Sequence, residues 1–224
     1  MKIIGHRGAK GLAPENTLAS MQAALDNHVD AIEFDVRVTR DNVPVINHNP
    51  DIASADQAPL SIAGSTLAEL RAVKPDLATL DEVFHFINQS VLLMVEIKAG
   101  AALPPIVAVL QHYLEQGYNP SKFWLGSKDF KSLQVLHKSF PSLNYIIIEP
   151  WSGVRAGSRA RRLGTNRIAM NQRWLWSGFI RMVAKRNELY AYPLNDPAKA
   201  ARWARYGLAG VITDYPDRFK PKAA

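Results

Sequence analysis

The chain has 224 residues, of which 47% are hydrophobic and 21% are charged, and its net charge is +7. This composition is ordinary for a soluble globular protein, and no stretch approaches the roughly 18 apolar residues that a membrane span needs. There is no cysteine, so disulfides and thiolate metal ligands are excluded and any metal site must use oxygen or histidine ligands. The positive charge suits anionic partners of any kind, including phosphorylated metabolites, nucleic acid and acidic lipid surfaces.

The beginning of the chain turns polar after Ile3 and Ile4, whereas a cleaved secretory signal needs an apolar run of about 7–15 residues. Together with the absence of cysteine, this predicts a cytoplasmic location. No linker or low-complexity tract divides residues 1–224, so we expect a single domain.

Short apolar, β-branched runs alternate with amphipathic segments along the chain. The amphipathic segments at 16–27, 103–116, 130–138 and 197–206 predict helices between strands. Eight such repeats predict an α/β fold of the (β/α)8 TIM-barrel class, although the chain is short for a barrel of typically about 250 residues. The predicted strands are 2–6, 30–38, 91–97, 122–126, 143–148, 166–170, 188–193 and 209–213.

One segment interrupts this pattern after the second strand. Residues 43–46 form an apolar run that follows the strand after about four residues, and a parallel crossover needs at least about a dozen. The run is therefore predicted to fold back antiparallel. Residues 51–78 then form a small insertion with a short helix at 66–72, before a barrel helix at 80–88.

The second predicted strand alternates apolar and charged residues with the period of two that a strand imposes. Glu33, Asp35 and Arg37 share one face, and Glu96 and Lys98 repeat the pattern on the next barrel strand. Because helices cover the outside of a barrel, we expect the charged face to point inward, at the carboxyl end where barrel active sites lie.

Three carboxylates that converge in a small space raise one another's pKa unless cations compensate them. A divalent cation bound by Glu33, Asp35 and Glu96 would do so, and their all-oxygen donor set favours Mg²⁺ or Ca²⁺. The alternative is a buried salt-bridge network of the same carboxylates with three cations, Arg7, Arg37 and Lys98. Repetition of the pattern on two strands favours the metal.

His6 closes the first predicted strand, and His48 ends the run that follows the second. Two histidines near a carboxylate cluster supply the base and the acid that phosphodiester cleavage needs. Arg7 and Lys98 add cations that can hold a phosphate and stabilise its developing charge. We therefore treat these four residues as candidates for catalysis and phosphate binding.

Seven short motifs follow one another along the chain in a specific order and spacing. The motifs are His6-Arg7-Gly8, Pro14-Glu15-Asn16-Thr17, Glu33-Phe34-Asp35-Val36, Val45-Ile46-Asn47-His48, Glu96-Ile97-Lys98, Asn195-Asp196-Pro197 and Gly210 to Asp217. Nearly end to end, the chain resembles the glycerophosphodiester phosphodiesterase family. The first five motifs together are highly specific, whereas His-Arg-Gly alone would mean little.

The resemblance implies a (β/α)8 barrel in which Glu33, Asp35 and Glu96 hold a divalent metal. It implies that His6 and His48 act as general acid and base, without assigning one role to each. The implied substrate is a small-molecule glycerophosphodiester, released as sn-glycerol 3-phosphate and an alcohol, with water or the glycerol 2-hydroxyl as nucleophile.

On the substrate side, the resemblance places Arg7 and Lys98 around the phosphate. Tyr192 stands where the family has tryptophan, and keeps an aromatic ring that can pack on the glycerol moiety. Lys128 stands where phenylalanine is common, and we expect it to be solvated. Asn49 replaces the aspartate that usually follows the second histidine, which predicts a lowered pKa for that histidine.

The motif Pro14 to Thr17 precedes an amphipathic run. We interpret it as structural, with Asn16 as a helix N-cap and Glu15 as a hydrogen-bond partner of a neighbouring loop.

No acidic residue lies between Glu149 and Glu188, which predicts one distinctly basic surface. Nine basic residues fall in this stretch: Arg155, Arg159, Arg161, Arg162, Arg167, Arg173, Arg181, Lys185 and Arg186.

Two other functions fit parts of the sequence. The first is a lysophospholipase D-type phosphodiesterase that makes weak membrane-surface contact through the region from Arg155 to Arg186. Trp174 and Trp176 favour it, but we prefer to place them, with Phe179, in the barrel's helix layer.

The second is a catalytically impaired barrel that binds anionic ligands such as nucleic acid. Because every proposed catalytic residue is present, we expect no specific nucleic-acid partner.

Overall fold

The computed structural model describes residues 1–53 and 58–219. The strands in these ranges are β1 (Lys2–Gly5), β2 (Ala31–Val38), β3 (Pro44–Ile46), β4 (Asp51–Ile52), β5 (Leu60–Ser61), β6 (Leu92–Ile97), β7 (Phe123–Ser127), β8 (Asn144–Glu149), β9 (Arg167–Asn171), β10 (Glu188–Tyr192) and β11 (Leu208–Thr213). The α-helices are α1 (Leu18–Asp26), α2 (Leu67–Val73), α3 (Leu80–Ile87), α4 (Leu103–Glu115), α5 (Phe130–Ser139), α6 (Gly153–Leu163), α7 (Ser177–Ala184) and α8 (Pro197–Ala204). Of the helices described, none combines the length and the hydropathy that crossing a bilayer requires.

Eight parallel strands close into a barrel in the order β1, β2, β6, β7, β8, β9, β10 and β11. The ring closes where β1 pairs in parallel with both β2 and β11. The predicted (β/α)8 class and all eight predicted strands are confirmed. Within the described ranges, β11 is followed by a 3₁₀ turn at Pro216–Phe219.

Two apolar layers hold the barrel together. One fills its interior and includes Ile4, Met94 and Trp124, and the other lies between the strands and the helices. Phe34 on β2 belongs to the outer layer, whereas its neighbours in sequence point inward, as the period of two predicts.

The insertion after β2 has an apolar cluster of its own. As predicted, β3 pairs antiparallel with β2, and β4 pairs with β5 in a separate two-stranded sheet. Helix α2 completes the insertion, and it begins at a capping box formed by Thr66 and Glu69. The buried residues of the insertion's cluster are Val45, Ile52, Ile62, Leu70 and Leu77.

The preferred placement of the tryptophans is wrong. Trp174 is 54% exposed and Trp176 is 62% exposed, and only Phe179 packs against the core. Both tryptophans lie in the connection between β9 and α7, ahead of the helix, so the apolar face of α7 does not include them.

The stretch that predicts a basic surface runs over α6, β9 and α7, and not all of its cations are unpaired. Arg155 and Arg159 share the single carboxylate of Glu149, at 2.6 and 3.1 Å, and Arg167 lies at the amino end of β9, with its guanidinium 4.9 Å from the centre of the Trp124 ring.

The turn after β1 depends on Gly8, which has a φ of +80°, and a Cβ there would collide with Ser20 on α1. We predict that Gly8→Ala lowers the free energy of unfolding by about 2–4 kcal/mol, through left-handed backbone strain together with the collision. Gly100→Ala is the matched control, since Gly100 has a φ of +81° and no atom of the described residues lies within 4 Å of a Cβ there. It should cost only the backbone strain of about 1–2 kcal/mol. Urea unfolding measures both, and equal losses would contradict the collision.

Candidate active site

A cavity of about 190 Å³ opens at the carboxyl ends of the barrel strands. Its floor is apolar, and is formed by Met94, Ile148, Ala169 and Ile212. One wall carries titratable side chains: His6, Arg7, Lys10, Glu33, His48, Glu96 and Lys128. The cavity can therefore hold a ligand that has a hydrocarbon part on one side and a charged part on the other.

The three predicted carboxylates converge at this wall. Glu33 and Asp35 lie on β2 and Glu96 on β6, and the parallel register pairs Asp35 with Glu96. All three are buried, and an oxygen from each lies within 4.8 Å of the others. Strand alternation thus brings the carboxylates together as the sequence predicts.

Cations compensate two of the carboxylates. Lys98 Nζ lies 2.9 Å from an oxygen of both Asp35 and Glu96, and Arg7 Nε lies 3.3 Å from Asp35. Burial alone would raise the pKa of Asp35, but Lys98 and Arg7 hold it below its usual value. The salt-bridge network foreseen as an alternative therefore forms in part. Arg37 takes no part in it, and donates instead to the carbonyl oxygen of His48 at 2.8 and 3.0 Å.

Glu33 is compensated least. Burial, followed by the charges of Asp35 and Glu96, raises its pKa well above the ordinary value. It accepts a hydrogen bond of 2.9 Å from the backbone N–H of Arg7, and its ion pair is a long one, with His6 Nε2 at 4.0 Å. An additional cation beside Glu33 would relieve this repulsion, so the three carboxylates fit a divalent metal, and their oxygens suit Mg²⁺ or Ca²⁺.

His6 is oriented by a carboxylate that sequence reasoning did not assign to the site. His6 Nδ1 lies 2.5 Å from Asp214 Oδ1, and Asp214 also accepts a 2.8 Å hydrogen bond from Asn195. Burial would raise the pKa of Asp214, but these two partners lower it, so it stays ionised. The sequence feature that could have assigned Asp214 to the site is its position directly after β11, the strand that pairs with β1.

His48 has an amide neighbour where His6 has a carboxylate. Its Nδ1 lies 2.9 Å from Asn49 Oδ1. Burial lowers the pKa of His48, and the hydrogen bond with Asn49 offsets this only in part. The lowered pKa agrees with the sequence prediction, and burial is its main cause.

The structural interpretation of the motif Pro14 to Thr17 is confirmed for Glu15, which accepts from a neighbouring turn, and is wrong for Asn16, which contacts a carboxylate of the site. Thr17, not Asn16, is the N-cap of α1. Asn16 is fully buried and makes two hydrogen bonds with Asp35, one to its carboxylate at 3.0 Å and one from its N–H at 3.2 Å. Glu15 accepts from Arg7 at 2.8 Å. Arg7 and Asn16 adopt left-handed φ values of +51° and +57°, which non-glycine residues rarely do.

Two residues on the substrate side line the same cavity. Burial raises the pKa of Tyr192, and among the described residues its hydroxyl has no hydrogen-bond partner. Lys128, expected to be solvated, is half-exposed but reaches the site, with Nζ 3.6 Å from Glu96. Both side chains are therefore available to a ligand.

Comparison with known proteins agrees with this geometry. The sequence model of the glycerophosphoryl diester phosphodiesterase family matches residues 6–218. YhdW of Bacillus subtilis, provisionally named a glycerophosphodiester phosphodiesterase, is 28% identical over 232 residues, which cover 97% of this chain and 96% of YhdW. The glycerophosphodiester phosphodiesterase of Caldanaerobacter subterraneus subsp. tengcongensis is 25% identical over 240 residues, covering 96% and 94% of the two chains.

The fold is shared with solved structures. A phosphodiesterase of Oleispira antarctica, in complex with the product sn-glycerol-3-phosphate, has a TM-score of 0.85 at 23% identity and covers 98% of this chain and 95% of that one. The resemblance seen in the motifs is confirmed by the match over residues 6–218, and the chain belongs to the glycerophosphoryl diester phosphodiesterase family.

Proposed function

We propose that this protein hydrolyses glycerophosphodiesters to sn-glycerol 3-phosphate and an alcohol, with a divalent metal at Glu33, Asp35 and Glu96. The observation that carries the proposal is the meeting of three buried carboxylates and two histidines at one cavity with an apolar floor. The product bound to the Oleispira relative supports the same substrate class. The cytoplasmic location expected from the sequence stays a prediction.

The two histidines divide the proton transfers. The lowered pKa of His48 favours its neutral form, which suits a general base. Asp214 orients His6 through Nδ1, and with His48 as the base, His6 is left as the general acid that protonates the leaving alcohol. The ring's Nε2 is then the atom that faces the wall of carboxylates.

The cations and the floor position the substrate. Arg7 and Lys98 attract a phosphate, and their pairing with the carboxylates holds them in place. The apolar floor accepts the carbon atoms of glycerol, and the Tyr192 hydroxyl can donate to one of its oxygens. When bound, Mg²⁺ or Ca²⁺ would polarise a phosphate oxygen and offset its developing negative charge.

A catalytically impaired binding barrel is the competing function. Asn195 and Asp214, which orient His6, and Asn16, which holds Asp35, are present in addition to the predicted residues. A complete supporting set of hydrogen bonds favours an active enzyme.

Metal removal tests the site. We predict that EDTA abolishes hydrolysis of glycerophosphocholine and glycerophosphoethanolamine, that Mg²⁺ or Ca²⁺ restores it, and that Glu33→Gln lowers kcat by about a hundredfold or more. Glu115→Gln, on the exposed side of α4, is the matched control and should retain full activity. Activity that survives both EDTA and Glu33→Gln would refute the proposal.

Thermal unfolding gives a second readout of the same site. Because the pKa of Glu33 is raised in the folded state, its ionised form costs stability that is regained as the pH falls through that pKa. In EDTA at neutral pH, Glu33→Gln should therefore raise Tm. Added metal should raise the Tm of the native protein but not that of the variant.

The pH dependence tests the division between the histidines. Asn49→Asp places a carboxylate beside His48 and raises the pKa of that imidazole. Since the base must be neutral, the acidic limb of kcat/KM should move to higher pH, and Asn49→Ala should not move it upward. A shift of the alkaline limb instead would make His48 the acid.

The unpartnered hydroxyl of Tyr192 predicts a specific kinetic effect. Tyr192→Phe should raise KM for glycerophosphocholine about threefold to tenfold, through one lost hydrogen bond, without lowering Tm. Tyr145→Phe is the control, because its hydroxyl donates to Phe140 at 2.8 Å far from the cavity, so Tm should fall while KM is unchanged. An unchanged KM for Tyr192→Phe would remove the hydroxyl from the substrate site.

A further inference from the structure

Four apolar side chains are exposed on one side of the cavity mouth, and we call them the tryptophan rim: Trp151, Val154, Trp174 and Trp176. Their exposed fractions are 61%, 88%, 54% and 62%. The first two lie just after β8 and the last two just after β9. β8 and β9 are neighbours in the barrel, and both connections leave from their carboxyl ends, the end at which the cavity opens.

A single ring, that of Phe179, lies against both connections that carry the rim. The ring of Trp176 lies 5.2 Å from that of Phe179, and a Cβ at Gly153 would collide with the far edge of the Phe179 ring. Phe179 therefore bridges the β9 connection to the start of α6, between Trp151 and Val154. Apolar groups gathered in this way differ from the isolated exposed apolar residues found on any protein surface.

A basic groove between α5 and α6 borders the rim at Val154. Five cationic side chains line the groove: Lys128, Lys131, Arg155, Arg159 and Arg162. Two carboxylates offset them. Asp129 caps α5 through Lys131 N and Ser132, and Glu149 is shared by Arg155 and Arg159. The groove keeps a positive excess, and Lys128 lines both the groove and the catalytic cavity.

We propose that the tryptophan rim and this groove dock on an anionic lipid bilayer, with the cavity mouth turned toward the lipid. Indole rings have an apolar body and a polar N–H, and so prefer the boundary between headgroups and acyl chains. Basic side chains beside them are attracted to acidic headgroups. A nucleic acid would use the cations but would leave Val154 and the clustered indoles in water.

Because the tryptophan rim and the groove lie beside the cavity mouth, docking would also bring the bilayer surface close to the site. Lys128 joins the lipid-facing groove to the cavity, so a phosphodiester at the bilayer surface lies next to the site. This consequence rests on the proposed function, whereas docking itself does not.

Vesicle cosedimentation tests the docking. The native protein should bind vesicles of phosphatidylcholine with phosphatidylserine, bind pure phosphatidylcholine much more weakly, and be released by high salt because salt screens surface charges. Trp174→Ala combined with Trp176→Ala should weaken binding to the anionic vesicles about tenfold, through lost burial of the indoles. Phe86→Ala is the control, since Phe86 is an exposed aromatic residue on α3, across the barrel, and should bind as the native protein does.

Several outcomes would overturn the proposal. They are no binding to anionic vesicles, equal binding by the double variant, equal loss with Phe86→Ala, or binding of single-stranded DNA that exceeds vesicle binding at equal salt. Tryptophan fluorescence should shift to the blue on vesicle binding in the native protein and much less in the double variant.

Two measurements separate docking from the proposed function. The double variant should hydrolyse soluble glycerophosphocholine as the native protein does, because neither tryptophan lines the cavity. Glu33→Gln should bind vesicles normally. An inactive native protein that still binds vesicles through the rim would refute the proposed function alone.

Discussion

Three carboxylates share one buried wall at the mouth of the barrel, and their mutual repulsion must be offset for the chain to fold. Lys98 supplies one positive charge to two of them at once, and Arg7, from the turn after β1, places a second cation beside Asp35. That turn brings the backbone N–H of Arg7 to Glu33, which requires left-handed backbone at Arg7 and a glycine after it. The local strain, the buried cations and the amide of Asn16 all accompany the placing of three acidic groups on one buried wall.

The two histidines differ in the group that contacts Nδ1 of each ring. Asp214 Oδ1 lies 2.5 Å from Nδ1 of His6, whereas Asn49 Oδ1 lies 2.9 Å from Nδ1 of His48, whose pKa is lowered by burial. Different surroundings for the two imidazoles suit the proposed reaction, in which one group takes a proton and the other gives one.

Local patterns predicted much of this arrangement. A period of two on β2 and β6 was enough to place Glu33, Asp35 and Glu96 on one inner face, and the spacing after β2 was enough to identify the excursion that ends at His48. Contacts between distant segments could not be read in this way. Asp214 meets His6 only because β11 closes the ring beside β1, 208 residues later. Trp174 and Trp176 were predicted in the helix layer because they are apolar and precede a helix, whereas they lie exposed in the connection before α7.

His48 does not stand on the barrel itself. It follows β3, in an insertion that has its own apolar cluster, and it is tied to β2 through Arg37. The barrel strands share long parallel ladders, whereas the insertion joins them through one short antiparallel pairing, contacts with α3 and a few polar contacts such as Arg40 with Glu69. Local opening can therefore remove the proposed base while the barrel stays folded. The chain can lose the geometry that catalysis needs while its barrel stays folded. On heating, activity should therefore be lost at a lower temperature than barrel structure.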